Sequence, residues 1–475
     1  MSHAFTVAKC ILSTFLLFVS SILISAQNPV PFLSQPLVPA AIAPARPGAT
    51  FALTVNGTGF VPGAKVNWNG KPRTTFFSGP SQLIAFILSS DIAAPTTAWI
   101  TVVNPGPGGG TSNTLFLPVH TPISGLAFQR RDYPVGVMPM FSTATDINGD
   151  GILDLAVPAN ISSEVLFLLG NGDGTFRKGD SYPVRWGAMK PILADFDRDG
   201  IPDMTVTVYS SGVAMLLGRG DGTFQSPVYY PAGDGPTLAI AADFNRDGNL
   251  DVATVIQTYR WVSVLLGNGD GSFQRYVQYP VGEGPSHLVS GDFNRDGKLD
   301  LAVSNCGSDN VSILLGLGGG TFRRHVDYDA GHCPSGVAAA DFNGDGKLDL
   351  VVANLSENNN DPNVSILLGN GDGTFRPQVK YPTTMGAAKV DIADFNADGK
   401  LDLVVSHGTD GQNVDILLGN GDGTFEAPLS FVVDTAATDV SAYDFNGDGR
   451  MDIVTSNYAA NSISVLIAQP TLGKE

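Results

Sequence analysis

Residues 341–352 read DFNGDGKLDLVV, and residues 364–375 of the same unit read VSILLGNGDGTF. The first segment follows the pattern D-x-[ND]-x-D-G-x-x-D, which occurs seven times at spacings of 49, 48, 49, 49, 53 and 50 residues. The second segment, or a close variant, ends at Phe176, Phe224, Phe273, Phe322, Phe375 and Phe425. A fixed period near fifty residues is typical of solenoids and propellers. The repeat therefore decides the architecture.

Each unit predicts one small antiparallel sheet. In the fourth unit, short strands are expected over residues 287–292, 299–304, 311–315 and 322–328, with Gly, Asn and Asp turns between them. Seven such sheets without helical patterns between them predict an all-β fold, a seven-bladed β-propeller over residues 121–469, because radial packing buries the sheet faces against their neighbours. The WD40 and kelch patterns are absent from the sequence.

The two ends of the array predict how the ring closes. The seventh unit stops at residues 466–468, before a turn and an outer strand. Residues 125–135, with Phe128 and then Tyr133-Pro134-Val135, resemble an outer strand without a unit in front of it. We expect this segment to complete the last blade.

Residues 39–120 have a different pattern and predict a separate domain. Strands are expected over residues 50–55, 65–68, 83–88 and 99–103, which favours a β-sandwich. The segments GTGF (57–60), VNWNG (66–70), VNP (103–105) and GGGTSN (108–113) resemble an IPT/TIG immunoglobulin-like domain. Residues 27–38 are predicted to be a linker, and residues 470–475 a C-terminal tail.

The acidic loops predict cation sites. Oxygens at loop positions 1, 3, 5 and 9, with the backbone carbonyl of position 7 and a glycine at position 6, can surround a calcium ion. The predicted ligands are Asp146, Asn148, Asp150, Ile152 and Asp154; Asp195, Asp197, Asp199, Ile201 and Asp203; Asp243, Asn245, Asp247, Asn249 and Asp251; Asp292, Asn294, Asp296, Lys298 and Asp300; Asp341, Asn343, Asp345, Lys347 and Asp349; Asp394, Asn396, Asp398, Lys400 and Asp402; and Asp444, Asn446, Asp448, Arg450 and Asp452.

The alternative is that these loops are only turns, which would suffice for one or two copies. It does not explain why all seven keep acids at positions 1, 5 and 9, where the carboxylates would repel one another without a cation. The loops hold 22 of the 45 acidic residues, and seven calcium ions would change the formal net charge of −18 by +14, to −4. We therefore expect up to seven structural Ca²⁺ ions.

The two motifs together are similar to the FG-GAP/VCBS repeats of integrin α-subunit propellers and of many bacterial exported proteins. The resemblance covers about 345 residues and implies calcium held structurally, on the face away from the usual ligand. The fourth hairpin, GLGGG over residues 316–320, departs from the pattern by losing its aspartate, which affects no predicted ligand.

Residues 1–26 predict a Sec-type signal peptide, with Lys9 before an apolar run over residues 11–24 and Ser25-Ala26 as a cleavage site. An uncleaved N-terminal anchor is the alternative. No later segment is long and apolar enough to span a membrane. We expect a secreted, cell-surface or periplasmic monomer, in which Cys306 and Cys333 form a disulfide.

No enzyme motif is present, so we expect no catalytic activity, and the acidic composition argues against nucleic acid as a partner. The face opposite the acidic loops is predicted to carry Trp186, Tyr209, Tyr259, Trp261 and Tyr458, which suit a glycan or an extracellular protein ligand. Capping of strands by these rings is the alternative reading. Three functions stay open: an adhesion or glycan-binding module, a structural component of an exported assembly, and a polysaccharide-cleaving enzyme of the lyase type.

Overall fold

The computed structural model describes residues 27–38, 41–42, 50–119, 125–355 and 361–470. The predicted signal peptide, residues 1–26, lies outside the described residues, as do residues 471–475 of the predicted tail. Among the described residues, none of the helices has the length and apolar character to cross a membrane.

Two sheets near the N-terminus enclose one apolar core. The strands are β1 (Phe32–Val38), β2 (Phe51–Thr58), β3 (Lys65–Trp68), β4 (Lys71–Pro72), β5 (Thr74–Gly79), β6 (Gln82–Ile87), β7 (Thr96–Asn104), β8 (Gly110–Thr111) and β9 (Leu115–Val119). One sheet has the order β1-β2-β6-β5, and the other has β4-β3-β7-β8 with β9 also paired to β7. Val55, Trp68 and Ile100 are among the side chains buried between them. We call this unit the N-terminal sandwich.

The sandwich begins earlier than predicted. Residues 27–38 were expected to form a linker, but β1 (Phe32–Val38) lies in this stretch and pairs antiparallel with β2. Strand β1 is at the edge of its sheet, where proline is tolerated because one side of the strand needs no hydrogen-bond donor. Its proline therefore does not exclude a strand.

The rest of the described chain forms seven antiparallel four-stranded sheets. Strand β10 (Phe128–Pro134) comes first in the chain. The first three sheets in chain order are β11 (Thr143–Thr145), β12 (Asp154–Ala159), β13 (Glu164–Gly170) and β14 (Phe176–Pro183); β15 (Ala188–Ala194), β16 (Asp203–Val208), β17 (Gly212–Leu216) and β18 (Val228–Tyr230); and β19 (Pro236–Ala242), β20 (Asp251–Ile256), β21 (Trp261–Leu265) and β22 (Val277–Pro280).

The next three sheets are β23 (Pro285–Gly291), β24 (Asp300–Asn305), β25 (Asn310–Leu314) and β28 (Val326–Asp329); β29 (Pro334–Ala340), β30 (Asp349–Asn354), β31 (Asn363–Leu367) and β32 (Val379–Pro382); and β33 (Lys389–Ala393), β34 (Asp402–Ser406), β35 (Asn413–Leu417) and β36 (Leu429–Val432). A small hairpin of β26 (Gly316–Gly318) and β27 (Thr321–Phe322) precedes β28, and 3₁₀ helices cover Gln257–Tyr259 and Gly408–Asp410. The outer strand predicted over residues 322–328 thus begins only at Val326.

The last sheet joins the two ends of the array. It contains β37 (Ala437–Tyr443), β38 (Asp452–Asn457) and β39 (Ser462–Ala468), and its outer strand is β10. Phe128 lies opposite Ala468 and Pro134 opposite Ser462 in an unbroken antiparallel register. The prediction that residues 125–135 complete the last sheet is confirmed in the structure.

Aromatic pairs connect every sheet to the next. A ring from the outer strand of one sheet packs edge-on against a phenylalanine of the following sheet, at centroid distances of 4.9–5.6 Å. The pairs are Tyr182–Phe224, Tyr230–Phe273, Tyr279–Phe322, Tyr328–Phe375, Tyr381–Phe425, Phe431–Phe128 and Tyr133–Phe176. The last two pairs involve β10, so the contacts run around a closed circle. This arrangement is consistent with a β-propeller.

The second strand of each sheet is buried on both faces, because adjoining sheets cover it. Strands β12, β16, β20, β24, β30 and β38 are buried along all six residues. This explains why the sequence shows short apolar runs there, without the polar alternation of a half-exposed strand.

Candidate calcium loops and aromatic face

The acidic loops have one shared backbone geometry, which the fourth loop illustrates. The Asp292 carboxylate accepts hydrogen bonds from the amides of Asp296 (3.0 Å) and Gly297 (2.8 Å). The Asn294 side-chain oxygen accepts from the Asp296 amide (3.0 Å), and Asp296 accepts from the Lys298 amide (3.0 Å). Amide donors thus turn the oxygens of positions 1, 3 and 5 toward the inside of the loop, as in calcium loops of the EF-hand kind.

The aspartate at position 9 ties each loop to the chain at the end of the third strand of its sheet. Asp300 is fully buried, and its two oxygens accept from the amides of Phe293 (2.9 Å) and Gly316 (2.7 Å). The equivalent aspartates make the same two kinds of bond; they are Asp154, Asp203, Asp251, Asp349, Asp402 and Asp452. Asp203 Oδ2 and Asp251 Oδ2 accept a further bond, from the amides of Asp197 (3.2 Å) and Asn245 (3.3 Å). Every one of these aspartates still has a carboxylate oxygen with a free lone pair, which is able to bind a cation.

Burial and mutual repulsion disfavour the charged form of these acids. Burial, followed by the charges of Asp243 and Asp247, raises the pKa of Asp251 to about 8. Burial together with neighbouring loop acids raises the pKa of Asp300 to about 7 and that of Asp349 to about 7. A bound divalent cation would stabilise the charged form of these carboxyl groups strongly, because it offsets both the cost of burial and the repulsion between neighbouring acids.

The donor set fits a hard cation. In the second loop, where position 3 is an aspartate, ligand oxygens of Asp195, Asp197 and Asp203 lie within 4.8 Å of one another. Carboxylate and amide oxygens are the ligands that calcium prefers. The residues at positions 1, 3, 5 and 9 would hold the ion, and the structure adds no nitrogen or sulfur ligand among the described loop residues.

Position 7 has a second role that the sequence did not predict. Its side chain forms an ion pair with the acid at position 5 in the last four loops: Lys298–Asp296 (3.0 Å), Lys347–Asp345 (3.0 Å), Lys400–Asp398 (3.6 Å) and Arg450–Asp448 (2.9 Å). These partly exposed pairs are weak, each worth about 0–1 kcal/mol. They offset part of the acidic charge without filling the loop.

The aromatic residues lie at the opposite ends of the strands. Trp186 and Tyr209 make an edge-on contact at 6.1 Å between centroids, and with Tyr259 they border a cavity of about 530 Å³ that also includes Ser210 and Asp234. The exposed fractions of Trp186, Tyr209 and Tyr259 are 54%, 37% and 52%.

The other two predicted residues occupy different places. Tyr458 borders a neighbouring cavity of about 410 Å³ with Trp186, Tyr209 and Met140. Trp261 is the first residue of β21, is half-buried, and lines neither of these cavities. The structure therefore brings four of the five aromatic residues together.

Cys306 and Cys333 form a disulfide, as predicted. Both loops open on the aromatic face, between the fourth sheet and the fifth.

A family model for the FG-GAP-like repeat matches six segments, residues 146–206, 195–254, 253–303, 292–352, 341–405 and 394–455. Together they cover residues 146–455, more than half of the 475 residues. The chain belongs to the FG-GAP-like repeat family. No curated protein matches the sequence at a significant level.

Solved structures resemble this FG-GAP-like repeat protein at low sequence identity. A crystal structure of BBS1N in complex with ARL6DN, soaked with mercury, has 10% identity and a TM-score of 0.52, covering 74% of this chain and 99% of that one. The periplasmic gluconolactonase PpgL of Pseudomonas aeruginosa has 15% identity and a TM-score of 0.49, covering 78% and 97%. An auxiliary nutrient binding protein from Bacteroides ovatus has 10% identity and a TM-score of 0.40, covering 93% and 98%. The likeness to BBS1N concerns the fold alone.

A cluster of largely buried ionisable residues in the FG-GAP-like ring was missed by the sequence analysis. Lys190, His287, Lys389 and Asp439 lie on the innermost strands, each five residues before the first aspartate of an acidic loop. Burial lowers the pKa of Lys389 to about 7, and its ammonium donates to the Ser335 carbonyl at 3.0 Å. The carboxyl groups of Asp439 and Asp391 face these lysines and offset their charge, whereas burial lowers the pKa of His287 and favours its neutral form.

A signal for this cluster was present in the sequence. At the equivalent position the other units have Phe141, Leu238 and Gly336. Comparison of the seven units at this position would have found the charged members.

Proposed function

We propose that this protein is an exported seven-bladed β-propeller with an N-terminal immunoglobulin-like domain, which holds structural calcium in up to seven loops and binds a glycan or an extracellular protein without catalysis. The observation that carries the binding role is the group formed by Trp186, Tyr209 and Tyr259. Rings of this size beside hydroxyl and carboxylate groups suit the apolar and polar sides of a sugar.

The position of this group supports the proposal. The acidic loops and the N-G-D-G hairpins occupy one face of the ring, and the N-terminal sandwich packs on that face through Phe116 and Tyr443, 5.6 Å apart. Trp186, Tyr209 and Tyr259 are on the face that the sandwich leaves uncovered. A ligand can reach them without displacing a domain.

The Tyr209 ring, which borders the aromatic cavity, is fixed by its neighbours. Tyr209 packs against two glycines, and a Cβ atom added at Gly187 would lie 2.7 Å from the Tyr209 Cβ, while one at Gly235 would lie 3.0 Å from its ring. Both glycines have positive φ angles, 90° and 75°, which other residues rarely adopt. A fixed ring loses little conformational freedom on binding, which favours affinity.

We expect the triple variant Trp186→Ala, Tyr209→Ala, Tyr259→Ala to lose at least about tenfold in affinity for the ligand, because aromatic contacts of this kind are worth about 0.5–1.5 kcal/mol each. The measurement is a screen of the full chain in calcium on a glycan array and on soluble polysaccharides, followed by titration of the best binder. Phe76→Ala, which removes a ring that is 60% exposed on the N-terminal sandwich, is the matched control.

Equal affinities of the triple variant and the wild type would contradict this site. Absence of any glycan binder would favour an extracellular protein ligand or a structural role in an assembly. Release of shortened polysaccharide chains during the screen would contradict the non-catalytic reading.

A further inference from the structure

The glycines at position 6 of the acidic loops fall into two groups. Five face open space, since a Cβ atom added to them would meet no atom within 4 Å: Gly151, Gly200, Gly297, Gly346 and Gly399. At Gly248, in the third loop, an added Cβ would lie 2.8 Å from the Asn28 carbonyl oxygen. At Gly449, in the seventh loop, it would lie 2.8 Å from the Val119 carbonyl oxygen. The N-terminal sandwich therefore rests on the third and seventh loops.

The contact with the third loop includes a predicted metal ligand. The Val30 amide donates to Asp243 Oδ2 at 2.9 Å, and the Gly248 amide donates to the same oxygen at 3.0 Å. The position 5 acid of this loop, Asp247, is half-buried. In the five uncovered loops the position 5 acids are exposed; they are Asp150, Asp199, Asp296, Asp345 and Asp398.

The contact with the seventh loop includes a hydroxyl group without a regular partner. Thr97 is 7% exposed, its Oγ1 makes no hydrogen bond of ordinary geometry, and it lies beside the Asp444 carboxyl group. Asp448, at position 5, is half-buried here as well. Thr97 and Trp99 share a cavity of about 380 Å³ with Asp444. The Thr97 hydroxyl oxygen of the sandwich thus faces the seventh loop.

Covering a loop of three carboxylates is unfavourable unless their charge is compensated, because burial removes the water that screens them. A divalent cation supplies that compensation. The ion and the sandwich should therefore each favour the binding of the other, since coupling between two binding events is reciprocal. In the third and seventh loops the ion would also be enclosed, whereas in the other five it would stay open to solvent.

We propose that the third and seventh acidic loops are calcium-dependent docking sites for the N-terminal sandwich, so that two calcium ions are held behind this domain and their loss releases it from the ring. This inference rests on the proposed calcium binding. Of the seven loops, which are nearly identical in sequence, five would be open to solvent and two would be covered by the sandwich.

The test is the rate at which the calcium-loaded full chain gives up its ions to a fluorescent chelator in a stopped-flow instrument. Two phases are expected, with five ions leaving fast and two leaving at least about tenfold more slowly, which is within the usual range of coupling between sites. Small-angle scattering of the same protein should show a larger radius of gyration after chelation, while circular dichroism follows whether the sheets persist.

Two double variants distinguish the loss of sandwich docking from strain within the acidic loops. Gly248→Asn with Gly449→Asn should abolish the slow phase and expand the protein in calcium. Gly297→Asn with Gly399→Asn carries the same backbone change at φ angles of 80° and 84° in uncovered loops, and asparagine tolerates this conformation. This control should keep the slow phase.

A single phase in the wild-type protein would overturn the inference, whatever the variants do. A slow phase that survives in the Gly248→Asn, Gly449→Asn variant would also overturn it. If metal analysis finds no calcium in the wild type, both the proposed calcium binding and the docking sites are contradicted. If calcium is bound but all ions leave in one phase, only the docking sites are contradicted.

Discussion

Removal of calcium will lower the melting temperature of this protein by roughly 10 °C or more. One ion at a hundredfold excess over its Kd stabilises the native state by about 2.7 kcal/mol, and several loops act together. The measurement is thermal unfolding in calcium and in excess chelator, with magnesium as the control, because magnesium binds fully oxygen-lined protein cages poorly. Melting curves that coincide with and without chelator would contradict calcium in the loops.

The melting temperature of the calcium-free protein should depend on pH, and the sign of this dependence follows from the pKa values of the loop aspartates. Burial raises the pKa of Asp251 to about 8, and that of Asp300, Asp349 and Asp394 to about 7. Between about pH 4 and pH 8 the calcium-free native state therefore binds more protons than the unfolded chain, so its stability falls as the pH rises. The calcium-free protein should melt higher at pH 5 than at pH 8, and calcium should reduce or reverse this difference.

Removal of residues 125–135 will damage the ring more than removal of the N-terminal sandwich. A chain that starts at Gly125 keeps β10, whereas one that starts at Gly136 leaves β39 with an unpaired edge, which can pair with other chains. It also loses the contacts of Phe128 with Phe431 (4.9 Å) and of Tyr133 with Phe176 (5.6 Å). We expect the shorter chain to aggregate or to melt more than about 10 °C lower.

The comparison uses two chains that both lack the sandwich, so their difference isolates β10. Size-exclusion chromatography and thermal unfolding in calcium are the measurements. Equal stability and equal size of the two chains would show that the ring closes without this strand, and would contradict the proposed seven-bladed arrangement.

The closure of the ring could be predicted because it depends on strands that the repeat already defines. The seventh unit lacks an outer strand, and Phe128 followed by Tyr133-Pro134-Val135 resembles the outer strands of the other units. Strand β1 could not be predicted, since its proline is typical of a linker and its pairing with β2 depends on the rest of the sandwich.

The acidic loops were predicted residue by residue, but the difference between them was not. Gly248 and Gly449 stand at the same motif position as Gly297, and all three have positive φ angles that the motif itself requires. What separates them is the placement of Asn28, Thr96 and Val119 of the sandwich on two loops. That placement depends on how one domain packs on another, and the repeat pattern contains no information about it.

The number of calcium ions bound by the full chain tests the proposed calcium loops most directly. Seven loops share the oxygen donors at positions 1, 3, 5 and 9, and their amide bonds have the same pattern in the structure. Metal analysis by mass spectrometry, after dialysis against low free calcium, should therefore find close to seven ions per chain, and calorimetric titration of the stripped protein should agree. Fewer than about four ions per chain would contradict the central claim that these loops are calcium sites.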